Sequence, residues 1–368
     1  MADRRLRVAV VYGGRSGEHE VSIESARSVM QAIDRDRYEV IPVGITQRGR
    51  WLLADPESLR EGLLEAAGRL LPSAEPRSSD VSSARRGDSP TITLGEGMDV
   101  VFPLVHGTYG EDGCLQGLFE LAGLPYVGSS VSASAVGMDK ILMKSVFAAN
   151  GLPSVSYLPV RRADWERDPR AWLDEIATRI GFPCFVKPAN LGSSVGISKV
   201  ISAADLAPAL NLAAEFSARL IVEQGITVRE LECGVLGNDA PEASIVGEVI
   251  PDREFYDYEA KYYDPQTKFV IPADIPADVA EEVRTMAVRA FTALGASGLA
   301  RVDFFLERES GRVYLNEINT IPGFTAMSVY PRLWAASGVP YADLIDRLIA
   351  LALARHGDEA RNRTEYEH

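Results

Sequence analysis

Two carboxylates and one amide stand at the ends of two apolar runs in the last quarter of the chain. Asp303 lies in the run R-V-D-F-F, and Glu317 and Asn319 lie in the run Y-L-N-E-I-N. If these runs are strands, three oxygen donors converge with no thiolate or imidazole nearby. Such donors suit Mg²⁺, which prefers oxygen ligands and keeps positions open for phosphate. The alternative is a hairpin with solvated acids, because strands with one wet face also alternate apolar and acidic residues.

A second segment, 182–196, has the pattern of a strand followed by a loop of small residues, F-P-C-F-V-K-P-A-N-L-G-S-S-V-G. Glycine and serine at 192–194 and Gly196 allow backbone N–H groups to approach an anion closely, and Lys187 adds a positive charge at the end of the strand. The loop is neither a Walker loop nor a G-x-G-x-x-G dinucleotide fingerprint. Taken with the proposed magnesium ligands, it favours a phosphate-binding loop.

Composition narrows the classes of function. The formal net charge of -14 would repel nucleic acid and anionic membranes, so neither is expected as a partner. The three cysteines, Cys114, Cys184 and Cys233, are too widely spaced for a disulfide framework or a zinc knuckle and are typical of the reducing cytoplasm. Neither a signal peptide nor a membrane-spanning helix is expected. Two of the four histidines fall in a C-terminal tail predicted to be frayed, which argues against a multi-histidine metal site.

The elements that must position these residues suggest more than one domain, since 368 residues exceed what one core usually serves. Strands at 7–12 and 39–45 around a helix predict the start of a βαβ wrap, so an α/β fold class is predicted for this part of the chain. We place an N-terminal α/β, Rossmann-like domain at 1–130, a central lobe at 131–222 and a C-terminal lobe at 223–368. A single helix is predicted at 132–150, and 72–90 is predicted to be a surface insertion.

Seven motifs, in order along nearly the whole chain, resemble the D-alanine:D-alanine ligase family of ATP-grasp enzymes. They are G-G-R-S-G-E-H-E-V-S at 13–22, H-G-T-Y-G-E-D-G-C-L-Q-G at 106–117, M-D-K at 138–140, the Lys187 loop, F-Y-D-Y-E-A-K-Y at 255–262, R-V-D-F-F at 301–305 and N-E-I-N-T-I-P-G-F-T at 316–325. The resemblance implies a three-domain ATP-grasp architecture, in which two α+β lobes follow the N-terminal α/β domain, so the fold class is α/β and α+β. It also implies ATP-dependent ligation of two D-alanine molecules through an acyl phosphate, for peptidoglycan synthesis.

The resemblance assigns roles to residues by their places in these motifs. The implied ATP contacts are Lys140, Lys187, Ser194, Glu223, Gln224, Ile226, Glu230 and Lys261. The implied catalytic residues are Glu18, Ser193, Tyr262, Arg301 and Gly323. The implied substrate contacts are Glu18, His106, Ser328 and Val329, and the implied ligands of two Mg²⁺ ions are Asp303, Glu317 and Asn319. On local grounds Glu18 could instead serve a helix start, and His106 could be a satisfied turn histidine.

The expected partners are D-alanine, ATP and a second copy of the chain, with Mn²⁺ as a substitute metal and K⁺ as an activator. Tyr262 favours a dipeptide over a D-lactate product, because the resembling D-lactate ligases carry a histidine in that loop. Two other functions remain open from the residues. One is another ATP-grasp carboxylate-amine ligase. The other is a protein that senses ATP without turnover, although Arg301 and Lys261 speak against it.

Overall fold

The computed structural model describes residues 4–53, 97–192, 195–250 and 268–363. These residues form three sheets, whose strands lie within 6–103, 157–224 and 228–319. The predicted contacts Ser193, Ser194, Lys261 and Tyr262, the motif at 255–262 and the predicted insertion at 72–90 lie outside the described residues.

The first sheet belongs to the N-terminal α/β region and confirms the predicted βαβ start. Its order is β3-β2-β1-β4, and β1 runs parallel to both β2 and β4. Residues 8–12 of β1 are apolar without interruption, because both faces of the strand are buried there. The elements are β1 (Leu6–Gly13), α1 (His19–Ala32), β2 (Tyr38–Ile45), β3 (Trp51–Leu53), β4 (Val100–Pro103) and α2 (Cys114–Leu121).

The segment predicted as one helix at 132–150 forms two helices, α3 (Val131–Met138) and α4 (Lys140–Ala149), so that prediction was wrong. Asp139 between them has an extended backbone, with φ -93 and ψ 103, and its carboxylate accepts from the N–H groups of Ile141 and Leu142. This is an N-cap, which satisfies otherwise unpaired donors at the start of α4. The break therefore places Lys140 in the first turn of a new helix.

The central lobe has a four-stranded antiparallel sheet, in the order β5-β8-β6-β7. Its buried residues form a core of their own, which includes Ile176, Val186 and Leu210. The elements are β5 (Tyr157–Arg161), α5 (Arg162–Arg167), α6 (Pro169–Arg179), β6 (Cys184–Pro188), β7 (Ser198–Val200), α7 (Ala203–Phe216) and β8 (Arg219–Gln224).

The C-terminal lobe has a five-stranded sheet in the order β11-β10-β9-β12-β13. Helix α8 covers one face and contributes Val283, Ala287 and Phe291 to the core beneath it. The elements are β9 (Val228–Gly237), β10 (Glu242–Ile250), β11 (Lys268–Val270), α8 (Ala277–Ala293), β12 (Gly298–Glu307), β13 (Val313–Asn319), α9 (Val329–Ala336) and α10 (Tyr341–Glu359).

Helix α10 does not end where the tail was expected to fray. It continues to Glu359 and includes His356, so the expectation of a frayed segment there was wrong. Its apolar side packs on the N-terminal sheet, and Leu344 and Leu348 share one core with Val10 and Phe102. Among the described residues, no helix combines the length and apolar character needed to cross a membrane.

Candidate active site

The polar face of the β9-β12-β13 sheet carries the predicted catalytic Arg301 and the three predicted metal ligands. Asp303 on β12 lies opposite Glu317 on β13, and Arg301 lies opposite Asn319. On the other side of β12, Asp303 lies opposite Glu232 of β9. Directly opposed residues in antiparallel strands share a face, so these side chains point the same way. The alternate residues of the same strands point into the core against α8.

Arg301 is the centre of a buried charge cluster on this face. Its guanidinium donates from Nε to Asp303 Oδ1 and from Nη2 to Asp303 Oδ2, both at 2.7 Å. Glu232 Oε2 lies 3.1 Å from the same Nε. Burial alone would lower the pKa of Arg301, but Asp303 and Glu232 outweigh it and raise the pKa well above its ordinary value. Arg301 is therefore a permanent cation at the floor of the site.

The three predicted metal ligands lie together, as the sequence indicated. Asn319 Nδ2 donates to Asp303 Oδ2 at 3.0 Å, and Glu317 Oε2 lies 3.8 Å from Lys140 Nζ. No three acidic, histidine or cysteine side chains among the described residues form a metal-binding group. The set offers two carboxylates and one amide oxygen, so it fits a hard divalent cation only if phosphate or water completes the coordination.

Lys140 faces Glu317 from the first turn of α4. Its ammonium donates to the Leu191 carbonyl at 2.9 Å, next to the loop that follows β6. The backbone N–H of Lys140 also donates to Ala189 O at 2.8 Å. Asp139, which caps α4, forms an ion pair with Arg219 of β8. The position of Lys140 is thus fixed by the helix break, the cap and the strand beside it.

Lys187 and Lys144 hold the Glu223 carboxylate between them. Lys187 Nζ lies 2.6 Å from Glu223 Oε2, and Lys144 Nζ lies 3.0 Å from Oε1. Burial alone would raise the pKa of Glu223, but the two lysines outweigh it and hold the pKa well below its ordinary value. Burial lowers the pKa of Lys144, and Glu223 opposes that shift. Glu223, predicted as an adenine contact, is therefore an ionised carboxylate with both oxygens near a cation.

Glu18 comes from the N-terminal region, and its side chain lines both of the cavities described below. It precedes α1, but its side chain makes no capping hydrogen bond there, which weakens the helix-start interpretation. A Cβ on Gly107 would lie 2.5 Å from Glu18 Oε2, and one on Gly192 would lie 3.8 Å from it. Gly107 also has φ +75, a conformation that side chains disfavour. Glycine at 107 thus leaves the space that the Glu18 carboxylate uses.

His106 is buried and ties the N-terminal domain to the loop after β13. Its Nδ1 lies 2.9 Å from Ile321 O, and its Nε2 lies 3.0 Å from Ser25 Oγ. These contacts agree with the alternative of a satisfied turn histidine, although His106 also lines a cavity.

Two cavities meet at this cluster. The first has a volume of about 150 Å³ and is lined by Lys140, Lys187, Glu230, Asp303 and Glu317, among others. The second has a volume of about 430 Å³ and is lined by His106, Gly323, Ser328 and Val329, among others. The residues lining both are Glu18, Glu111, Glu232, Arg301 and Asn319. The cavities are therefore neighbours that share one charged wall.

Ser328 and Val329 lie at the start of α9, on the rim of the second cavity. Ser328 precedes the helix and Val329 is its first residue. A Cβ on Gly323 would lie 3.3 Å from Ser328 Oγ, so this rim is closely packed. A helix start presents backbone N–H groups and favours a negative charge.

Three predicted ATP contacts, Glu223, Gln224 and Ile226, do not line the first cavity. Gln224 is the exposed last residue of β8, its N–H donates to Ser156 O at 2.9 Å, and Ile226 follows in the turn to β9.

Conversely, Lys144, Glu232 and Glu111 belong to the site but were not predicted. For Lys144 a signal existed, because it stands one helical turn after Lys140 and so shares its face. Glu232 stands two residues after Glu230 in a strand, which also predicts a shared face.

Comparisons with known proteins agree with this arrangement. Residues 7–129 match the family model for the D-ala D-ala ligase N-terminus, and residues 146–350 match the one for its C-terminus. The D-alanine--D-alanine ligase of Heliobacterium modesticaldum is 49% identical over 360 residues, covering 97% of each chain. The ligase of the same name from Geobacillus kaustophilus is 49% identical over 361 residues, covering 96% of each chain.

Solved structures of similar fold are also ligases of this kind. The D-alanine-D-alanine ligase from Coxiella burnetii has a TM-score of 0.79 at 37% identity, covering 97% of this chain and 96% of its own. The VanG D-Ala:D-Ser ligase from Enterococcus faecalis has a TM-score of 0.79 at 35% identity, covering 95% of this chain and 100% of its own. With both family models matched in order and near-complete coverage by relatives, the chain belongs to the D-alanine–D-alanine ligase family of ATP-grasp enzymes.

Proposed function

We propose that the protein joins two D-alanine molecules to D-alanyl-D-alanine, with conversion of ATP to ADP and phosphate, for peptidoglycan precursor synthesis. The observation that carries the proposal is the shared wall between the two cavities. Lysines and oxygen donors on one side suit a triphosphate, and the larger cavity on the other side suits two small amino acids. Arg301 lies between them, where a phosphoryl group would meet a carboxylate.

The chemistry explains why the site needs fixed cations. A carboxylate is a poor electrophile, so the first D-alanine is activated as an acyl phosphate, and the amine of the second then attacks to expel phosphate. Both steps develop negative charge on oxygen, where preorganised positive groups help most. Lys140 and Lys187 would bind the α and β phosphates. Arg301, with the N–H of Gly323, would stabilise the tetrahedral oxyanion.

A divalent cation is the second source of positive charge. Asp303, Glu317 and Asn319 would hold it, with Mg²⁺ as the expected ion, two ions per site and Mn²⁺ as a substitute. Once bound, the metal would neutralise phosphate charge during transfer. Activation by K⁺ stays a prediction.

The amino acids would be placed by residues that line the larger cavity. Glu18 would bind the ammonium of the first D-alanine, and His106 would lie near its carboxylate. The second carboxylate would meet Ser328 and Val329, where the N–H groups of the α9 start favour an anion. Glu223 and Glu230 would contact adenine and ribose, with the hinge contacts at Gln224 and Ile226.

Four further roles rest on the family resemblance alone, because the residues lie outside the described part of the chain. They are phosphate contacts by Ser194 and Lys261 and orientation of Glu18 by Ser193 and Tyr262. Assembly as a homodimer, a cytoplasmic location and the absence of nucleic-acid or membrane partners also stay predictions.

The test is phosphate release from ATP across a panel of D- and L-amino acids, with D-serine and D-lactate included. We expect release only when D-alanine is present, and D-alanyl-D-alanine as the chromatographic product. Arg301→Ala should lower kcat by about 100-fold or more, since it removes a group that stabilises developing charge. Release that is independent of any amino acid, or a dominant D-alanyl-D-serine or depsipeptide product, would contradict the proposal.

A further inference from the structure

Glu232 is a buried acid that the proposed mechanism does not use. Only 6% of it is exposed, and it lies directly across from Asp303 in the β9–β12 pair. Its Oε2 lies 3.1 Å from Arg301 Nε. Glu232 also lines both cavities, so it lies at the boundary where the activated carboxylate would stand.

The contacts of Asp303 create a conflict that Glu232 can resolve. Both carboxylate oxygens of Asp303 accept from Arg301, at 2.7 Å each. A carboxylate that binds a cation must turn at least one oxygen toward it, and Arg301 then loses part of its main ion pair. A buried guanidinium without an anionic partner is costly and has no fixed orientation. Glu232 is close enough to keep that pairing while Asp303 turns.

We propose that Glu232 is a positioning residue for Arg301, which lets Asp303 exchange its guanidinium partner for a divalent cation while Arg301 keeps its place in the shared wall. The proposal rests on the proposed function, in which Asp303 binds metal and Arg301 meets the oxyanion. Glu232 itself would contact neither the metal ion nor the oxyanion. Its carboxylate fixes the guanidinium and frees Asp303, so it couples metal binding to the readiness of the catalytic cation.

The chain offers a matched control on the same sheet. Glu248 on β10 is also buried, at 7% exposure, and pairs with Arg229 through two hydrogen bonds of 2.7 Å. It lies opposite Leu231, the neighbour of Glu232, and so faces the other side of the sheet. Glu248→Gln thus removes a buried arginine partner without touching either cavity.

The test compares Glu232→Gln with Glu248→Gln in two measurements. Steady-state kinetics should give a kcat lowered about 10- to 100-fold for Glu232→Gln, the usual effect of losing an outer partner of a metal site, with KM for ATP and D-alanine within about twofold. Mn²⁺ binding with ADP, followed by electron paramagnetic resonance, should weaken about 10-fold. The reason is that Arg301, deprived of Glu232, competes harder for Asp303. Glu248→Gln should change neither measurement.

Wild-type kcat and Mn²⁺ affinity in Glu232→Gln would overturn the proposal, as would equal losses in Glu248→Gln. A rise in KM for D-alanine with unchanged kcat would instead make Glu232 a substrate contact and also overturn the proposal.

If Glu232→Gln does not fold, the variant Glu232→Asp tests the proposal in its place. Because it keeps the charge, it should retain Mn²⁺ affinity and most of kcat, and loss of both in a folded protein would refute the role. If the wild type released no phosphate with D-alanine, the proposed function would fail, but the Mn²⁺ measurement would still test Glu232.

Discussion

Lys144 and Glu223 form a buried ion pair, and burial is the reason that we expect the pair to matter for stability. Neither side chain has more than 3% of its surface exposed. We expect Lys144→Met to lower the free energy of unfolding by about 3–5 kcal/mol, because it leaves part of a buried charge uncompensated. In denaturant titrations the double variant Lys144→Met/Glu223→Gln should lose less than the sum of the single variants. Strictly additive losses would contradict direct coupling.

The same carboxylate should make stability depend on pH. The pKa of Glu223 is held below its ordinary value of 4.5, since the two lysines outweigh burial. A depressed folded-state pKa stabilises the fold above the unfolded pKa, and this contribution is lost as pH falls through the folded value. The difference in unfolding free energy between the wild type and Glu223→Gln should therefore be constant near pH 7 and shrink below about pH 4.5. A difference independent of pH from 7 to 3 would exclude this linkage.

Glu317 carries the metal hypothesis most directly, because its carboxylate lies opposite Asp303 and near Lys140. Glu317→Gln keeps the shape but removes a charge that a cation needs. We expect kcat to fall by about 100-fold or more at saturating ATP and Mg²⁺, with an unchanged melting temperature. Glu307→Gln, at the last residue of β12 and lining neither cavity, is the control and should retain activity. Full activity in folded Glu317→Gln would rule out the assignment.

At the scale of the element, the break between α3 and α4 determines where Lys140 stands. Asp139→Ala removes the cap of α4 and the ion pair with Arg219, so we expect a loss of about 1–2 kcal/mol in unfolding free energy. KM for ATP should also rise, because Lys140 loses its fixed position. Asp168→Ala is the control, since it removes the cap of α6 away from both cavities. A similar rise in KM for both variants would mean that stability alone is responsible.

The elements were largely predictable because each has a clear period and clear ends. The βαβ start and the Asp303 and Glu317 strands follow from apolar patterns. The break at Asp139 was missed because Ala133, Val136 and Met143 keep helical spacing across it. Only the M-D-K order gave a hint, since aspartate is a strong N-cap.

Candidate site residues were predictable where a motif carried them, and hidden where only tertiary burial brings their side chains together. Arg301 and Asp303 are two apart on one strand, so their shared face could be inferred. Glu232 meets them only through the pairing of β9 with β12, which no local pattern encodes. Lys144 resembles a solvated helix lysine until α4 is seen packed against β8 through Glu223.

At the scale of the whole molecule, α10 joins the C-terminal lobe to the N-terminal sheet. Leu348 is fully buried in a core that includes Val10 and Leu299. We expect Leu348→Ala to cost about 2–5 kcal/mol. Hydrogen exchange should rise together in β1 and β12, because both contribute to that core, while β6 stays protected. Ile176→Ala, in the separate central core, should raise hydrogen exchange in β6 and leave β1 and β12 protected. If hydrogen exchange rose equally in β1, β12 and β6 in both variants, all three sheets would unfold as one unit.

The three cysteines make the protein suitable for optical measurement. Cys114 is exposed, whereas Cys184 and Cys233 are buried and burial raises their pKa to about 11 and about 12. Thiol reagents attack the thiolate, so a fluorescent maleimide should label Cys114 alone. Burial and Asp112 also raise the pKa of Cys114, so labelling should be faster at pH 8 than at pH 7. Because Cys114 directly follows the 106–113 loop, which carries Glu111, the dye would report ligand binding in real time without any engineered residue.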